Sequence, residues 1–369
     1  MNKDTKFTSA FLNQSRVDLF QGKLIGWFES EGKSYPWRET SDPYAILVSE
    51  LMLQQTQITT VLKRGFFTRW MAKFPDWLSL AGATEASVLK SWEGLGYYNR
   101  ARNLQKTARI IVDQFDGRFP EVYEDVISLP GIGRYTAGAV LSFAFGQSLP
   151  ILDGNVIRVL SRIMAFREPV NTRSATATLW DWAESLTPRM SAKAYNSGVM
   201  ELGQRVCRKS LPDCEICPVS EFCLGRINGE AEKLPIKEAA KKVTRLEENV
   251  LILFRDEKIL LAPEKGSRRK GMWRLPEISS EEAADFEECF RFDYAITRYK
   301  VNLRVFTPNP AAAGKREADA VEDWFDPGNP ENLPAMGSPY LKALSKYAEI
   351  REELSFQAEN EGDRKQKIW

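Results

Sequence analysis

The chain has 369 residues, with 51 Lys and Arg against 50 Asp and Glu, a formal net charge of +1, and no histidine. Hydrophobic residues at 43% and charged residues at 27% exclude a wholly disordered chain, and at about 150 residues per domain the length predicts roughly two or three folded units. Without histidine there is no Ser-His-Asp or Cys-His catalysis, no histidine-ligated zinc or haem, and no histidine pH switch. Chemistry has to rest on carboxylates, Lys, Tyr, Cys or a cofactor, and any nucleic-acid binding on local charge.

In chain order, Met1 to Arg16 is charged and lacks the apolar segment of a signal peptide. Residues 8 to 228 read as mostly helical, with apolar positions at helical steps such as Leu47, Leu51, Ile58 and Val61, or Leu104, Ala108 and Ile111. Ser41-Asp42-Pro43 and Thr84-Glu85 mark helix starts. Leu129-Pro-Gly-Ile-Gly133 predicts a tight turn leading into a helix from Tyr135 to Phe145. The longest quasi-apolar run, Ala137 to Gly146, is too short to span a bilayer, so a cytoplasmic location away from membranes is expected. Asp153, in Leu152-Asp-Gly-Asn-Val156, is placed to cap a helix over Val156 to Ala165. Residues 229–248, rich in Glu, Lys and Ala, read as a solvated linker. Residues 249–355 then predict strands at Asn249 to Phe254, Lys258 to Ala262 and Tyr299 to Phe306. The first two strands join at Arg255-Asp-Glu257, and a closing helix covers Lys342 to Leu354. The fold class is a mainly α domain followed by a smaller α+β domain.

Three features carry chemistry. The Gly131-Ile-Gly133 turn before a helix can present backbone N–H groups to an anion such as a DNA phosphate, although a plain helix–helix turn would explain it too. Asp153, twenty residues after Gly133, is either a helix cap alone or a carboxylate aimed at bound DNA. Four cysteines form the box Cys207-x6-Cys214-x2-Cys217-x5-Cys223, which has one closely spaced pair where structural zinc sites usually have two. It is neither common ferredoxin spacing, yet four thiolates can hold a cubane cluster, with Arg205, Arg208 and Lys209 offsetting its charge. Cys289 stands apart and reads as a small buried apolar residue.

Together with Tyr35-Pro-Trp-Arg38, Ser49-Glu-Leu-Met-Leu-Gln-Gln-Thr56 and Gly94-Leu-Gly-Tyr-Tyr-Asn-Arg-Ala-Arg-Asn103, these features resemble the endonuclease III (helix-hairpin-helix) superfamily of DNA repair glycosylases, and within it the adenine DNA glycosylases of the MutY type. The resemblance is strong over residues 20 to 225 and weak beyond. It implies a helix-hairpin-helix glycosylase domain over 8–228, with a 4Fe–4S cluster on Cys207, Cys214, Cys217 and Cys223. A monomer bound to double-stranded DNA carrying A:8-oxoguanine or A:G mispairs is implied as well.

An enzyme that works on a base must take it out of the stack. Gln55 and Tyr97 match the family's wedge residues, and Gly131 and Gly133 its phosphate-binding hairpin. Glu50 lies in the apolar stretch Ala45 to Leu53, where desolvation would raise its pKa and keep it a proton donor. The resemblance implies that Glu50 protonates adenine N7 and later activates water, while Asp153 stabilises the sugar cation. Tyr135 stands where strand-cutting relatives carry a Schiff-base lysine, which implies base excision without efficient strand cleavage. Tyr135 and Asn155 match active-site hydrogen-bonding positions, and Trp37 and Arg38 the wall of the adenine pocket. The groups Lys63, Arg64, Arg69, Lys73 and Arg100, Arg102, Lys106, Arg109 are expected to contact phosphates.

The C-terminal residues resemble a degenerate Nudix (MutT-like) domain. Gly271-Met-Trp-Arg-Leu-Pro276 matches its start, but the acidic stretch Glu281 to Glu288 is mis-patterned for the catalytic helix, so no Mg²⁺-dependent pyrophosphate hydrolysis is expected. Ile296-Thr-Arg298 aligns with the family's 8-oxoguanine-reading loop without its aromatic and His, leaving Thr297 and Arg298 as hydrogen-bond donors. Two other readings are a mismatch or oxidised-pyrimidine glycosylase-lyase, which Tyr135 argues against, and a non-catalytic iron–sulfur DNA-binding protein, which Glu50 and Asp153 argue against.

Overall fold

The computed structural model describes residues 13–238, 243–266, 269–296, 298–309, 318–328 and 332–366. The chain divides into two compact units, Met1–Ala81 with Asn103–Ala240, and Gly82–Arg102 with Lys241–Trp369. Among the described residues no helix is long and apolar enough to cross a membrane.

The helices run α1 Gln14–Glu31, α2 Pro43–Leu53, α3 Ile58–Lys63, α4 Phe66–Lys73, α5 Trp77–Gly82, α6 Glu85–Ser91, α7 Asn99–Gln114, α8 Tyr123–Ser128, α9 Arg134–Phe145, α10 Gly154–Ile163, α11 Arg173–Leu186, α12 Ala192–Arg205 and α13 Leu224–Ile227. The Ser-Asp-Pro signal starts α2: Asp42 accepts from the N–H groups of Tyr44 and Ala45, and Pro43 occupies the first turn. Every residue of α2 from Tyr44 to Met52 is buried, so this helix runs through the interior of its unit. The core around α1, α10 and α12 includes Phe20, Leu24, Val156, Leu160, Tyr195 and Leu202. The helix after Asp153 spans 154–163, two residues earlier than the capping pattern suggests, and Ala165 beyond it turns to φ +47.

In the second unit, β1 Thr244–Leu251 lies parallel to β6 Tyr299–Pro308, which pairs antiparallel with β5 Phe286–Ile296. A second sheet joins β2 Phe254–Arg255, β3 Lys258–Pro263, β4 Trp273–Arg274 and β7 Asp323–Phe325. α14, Ser338–Gln366, brings Tyr340 and Ala343 into a core with Val250, Ile259, Leu303 and Met336.

Boundaries in the second unit also differ from the sequence reading, and the closing helix spans Ser338–Gln366 rather than 342–354. The first strand begins at Thr244, inside the stretch read as linker, because its exposed first residues are held by pairing to β6 rather than by burial. The expected strand 249–254 breaks after Leu251, and the hairpin belongs to β2 and β3, with Asp256 and Glu257 both at positive φ as a two-residue primed turn requires. The acidic stretch forms a short 3₁₀ turn, Glu282–Asp285, and then enters β5, a strand the sequence reading does not include.

Candidate active site

One cavity of about 1120 Å³ in the first unit collects Glu50 from α2, Tyr135 from α9, and Asp153 and Asn155 from the start of α10. Trp37, Arg38 and Gln55, from the loops either side of α2, complete its wall.

Glu50 is 5% exposed. Burial pushes its carboxyl up to about 7; the hydrogen bond from Tyr135 opposes this, the charge of Asp153 adds to it, and Arg38 opposes it. The Tyr135 hydroxyl donates to Glu50 Oε2 at 2.6 Å. Burial and the neighbouring carboxylates hold the Tyr135 hydroxyl far above its usual range, so it remains a donor.

Asp153 caps α10. Its Oδ1 accepts from the N–H groups of Asn155 (2.9 Å) and Val156 (2.7 Å), and its Oδ2 from Asn155 Nδ2 (2.9 Å). Burial raises its pKa, and the donors from Val156 and Asn155 pull it back. Asn155 is itself held: its Oδ1 accepts from Arg158 Nη2 at 2.8 Å, and Arg158 also donates to the carbonyls of Cys207 (2.8 Å) and Gly203 (2.6 Å). Any Cβ at Gly203 would lie 2.7 Å from that of Asn155, so glycine lets α12 approach the start of α10.

The Tyr35 and Trp37 rings stack at 5.5 Å, and Trp37 meets Phe67 edge-on. The Arg38 guanidinium lies 4.7 Å over Tyr35 and pairs with the buried Glu201, which also accepts from Arg205 and from the Lys33 N–H. Burial alone would raise the Glu201 pKa, but these partners outweigh it and hold it below its ordinary value. Arg158, Glu201 and Gly203 do not stand out in the sequence. Their partners are distant along the chain, and only the one-turn spacing of Glu201 and Arg205 hints at a pair.

Gln55 and Tyr97 both adopt left-handed backbones, φ +60 and +48, a strained state for side chains with a Cβ. Tyr97 is 52% exposed and belongs to the second unit. At the hairpin only Gly131 needs its glycine: its φ is +78, and a Cβ there would lie 2.6 Å from Asn103 Nδ2. Gly133 is extended, caps α9 without a side chain, and has open space around it, so the turn uses one left-handed glycine rather than two.

The cysteine box closes on itself. Cys207, Cys214, Cys217 and Cys223 line one cavity with Arg162, whose Nη1 donates to Cys207 Sγ at 3.2 Å. Burial pushes Cys217 up to about 12 and Cys223 up to about 11. Among the described residues no three His, Cys, Asp or Glu side chains are placed to hold a single metal ion. Four soft donors around one cavity, next to a buried guanidinium, fit an iron–sulfur group by their chemistry.

Other expected contacts resolve differently. Arg100 is buried, donates to the carbonyls of Leu95 and Gly96, and lies over Trp92, and Arg102 pairs with Glu85, so neither presents a free charge to phosphate. Counting charges in sequence could not reveal that these guanidinium groups face inward. Thr297 lies outside the described residues. Arg298 is exposed in the turn between β5 and β6, its Nη2 donating to the Tyr299 hydroxyl at 3.1 Å.

Residues 48–185 match the family model described as HhH-GPD superfamily base excision DNA repair protein. Proteins named adenine DNA glycosylase are similar over longer spans. The Homo sapiens protein is 40% identical over 233 residues, covering 61% of this chain and 42% of that one. One from Buchnera aphidicola subsp. Baizongia pistaciae is 38% identical over 226 residues, 61% and 63% of the two chains. The Arabidopsis thaliana protein is 31% identical over 328 residues, 74% and 51%. A solved structure of a thermostable thymine-DNA glycosylase superposes with a TM-score of 0.52 at 27% identity, covering 57% of this chain and 97% of that one. The chain thus spans 42% to 63% of the curated relatives' own lengths. The matched span runs from the helix of Glu50 through the hairpin and Asp153, and over it the chain is similar to the HhH-GPD superfamily of base excision DNA repair proteins.

Proposed function

We propose that this protein is a DNA N-glycosylase that hydrolyses adenine from DNA where it is mispaired with 8-oxoguanine or guanine. The observation that carries this reading is the single cavity in which a buried, hydrogen-bonded Glu50 faces a helix-capping Asp153. Similarity to proteins named adenine DNA glycosylase supports adenine as the base.

In this reading Gln55 and Tyr97 occupy space vacated in the duplex, and the extruded adenine rests against Trp37 and Arg38. Glu50, whose raised pKa of about 7 leaves a large share of it protonated at neutral pH, donates to the N7 of adenine and makes the base a leaving group. As the glycosidic bond breaks, the sugar becomes oxocarbenium-like, and the Asp153 carboxylate stabilises that positive charge. Glu50, now a carboxylate, takes a proton from the attacking water. Tyr135 orients Glu50 and, having no amine, forms no Schiff base, so the phosphodiester backbone stays intact. Gly131, Gly133 and the first N–H groups of α9 would hold a phosphate.

The second unit, read as Nudix-like, would contact the opposing base through Thr297 and Arg298. Within its acidic stretch Glu288 is paired with Arg291 and Arg304, and Glu282 accepts from the Ser279 N–H. Cys207, Cys214, Cys217 and Cys223 would hold a 4Fe–4S cluster, and the ligand bonds would stabilise the loop.

The test is purified protein with duplexes carrying A opposite 8-oxoguanine, A opposite G, and T opposite G, analysed with and without alkali. Free adenine, with strand breaks only after alkali, supports the reading. Release of thymine, or strand breaks without alkali, overturns it. The protein as isolated should be brown with about four irons per chain; zinc without iron would contradict the cluster.

A further inference from the structure

Tyr97 stands at the tip of a turn that is locked from both sides onto one backbone unit of the C-terminal residues. Glu93 Oε1 accepts from the Met336 N–H at 2.9 Å, and the Tyr98 hydroxyl donates to the Met336 carbonyl at 3.2 Å. Both backbone polar groups of Met336, a fully buried residue, are thus engaged by residues flanking the wedge. The same stretch touches again at Gly271, where a Cβ would lie 3.2 Å from Glu85 Oε1 and 3.4 Å from Arg102 Nη2. Met336 pairs in turn with Trp273, and the Trp273 N–H donates to the Ala335 carbonyl at 2.8 Å.

The turn itself has little freedom. Gly94, Gly96 and Tyr97 take positive φ, the Tyr98 hydroxyl accepts from the Gly94 N–H, and Arg100 bonds the carbonyls of Leu95 and Gly96. Strain of this kind persists only where the surroundings over-determine it. Here part of those surroundings is Met336, more than two hundred residues further along the chain.

We propose that Glu93 and Tyr98 are positioning residues that fix the wedge Tyr97 to the C-terminal unit, so that engagement of the opposing base by that unit sets the insertion of Tyr97. This rests on the reading of Tyr97 as a wedge. Opposing-base recognition and base extrusion are then mechanically one event, carried by a single rigid piece.

The experiment uses the full chain and a duplex with 2-aminopurine in the adenine position opposite 8-oxoguanine, following extrusion by fluorescence. Tyr98→Phe removes the donor to Met336 and the acceptor for the Gly94 N–H, and should slow extrusion about fivefold, the scale of one buried hydrogen bond, with a modest fall in melting temperature and duplex affinity little changed. Glu93→Ala should act in the same direction. Met336→Leu changes only the side chain, in a volume-conserving way, and should leave extrusion unchanged. In a Tyr97→Ala background Tyr98→Phe should add nothing, since its effect passes through Tyr97. An equal further loss in that background, or no loss from either Tyr98→Phe or Glu93→Ala, overturns the proposal. If Tyr97→Ala itself extrudes as well as the unaltered protein, the wedge reading fails instead.

Discussion

Helices α2 and α10 each bring one carboxylate to the cavity, and they do so in opposite ways. Glu50 projects from the middle of a helix buried along nearly its whole length, with the Tyr135 hydroxyl donating to it. Asp153 sits at the N-terminus of its helix, where two backbone N–H groups, an asparagine amide and the positive end of the helix dipole all favour the anion. Both are desolvated, so burial alone does not separate them. The number of donors does: Glu50 has one, from Tyr135, while three oppose the effect of burial at Asp153, and on the proposed reading the first carboxyl carries the proton and the second the negative charge.

Replacing the fixed charge should do most damage. Asp153→Asn keeps the cap, since asparagine serves there nearly as well, but removes the charge opposite the developing cation. Adenine excision should fall by about a thousandfold, the scale for losing a preorganised electrostatic partner, with duplex affinity nearly unchanged. Single-turnover excision near the unaltered rate would remove Asp153 from the chemistry.

Glu50→Gln keeps the acceptor for Tyr135 and loses the transferable proton. Excision should drop about a hundredfold or more. Stability should move the other way. The folded pKa of about 7 exceeds the ordinary 4.5, so the folded chain binds the extra proton more tightly, and its stability declines as pH rises between those values. Glu50→Gln removes that cost and should stabilise the protein at pH 8 by up to about 3 kcal/mol and by almost nothing at pH 4. Equal thermal shifts at both pH values would show that Glu50 carries no raised pKa.

Tyr135→Phe is a smaller perturbation that sharpens the contrast. It deletes the hydrogen bond that favours ionised Glu50, so the carboxyl should hold its proton to still higher pH. Excision should fall about tenfold at pH 7, and the alkaline limb of the pH–rate profile should move upward. A limb moving downward would mean that Tyr135 acts on Glu50 in the opposite sense.

Both carboxylates are legible in sequence because each breaks a local pattern: an acid inside an apolar helical run, and an Asp-Gly-Asn at a helix start. Their supports are not. Arg158 and Glu201 act on groups up to 168 residues away, and no local periodicity encodes such contacts. Arg100 and Arg102 look like surface charge in sequence because residue type does not reveal burial. Strand β5 does carry a signal. Phe290, Phe292, Tyr294 and Ile296 alternate with polar or small residues, but the acidic stretch before them resembles a mis-patterned helix and masks it. The early start of β1 has no such signal, since Thr244 to Glu247 gain their place from pairing with β6. The attachment of the Tyr97 turn to Met336 is equally invisible, depending on contacts across the chain.

The most direct test of the division of labour between Glu50 and Asp153 is the pH dependence of single-turnover adenine release between pH 5 and 9. With Glu50 as the acid, the rate should fall about tenfold per pH unit once the pH passes its pKa of about 7. In Glu50→Gln the small remaining rate should lack that limb. A rate that is flat or rising from pH 6 to 9 would contradict the assignment of the proton to Glu50.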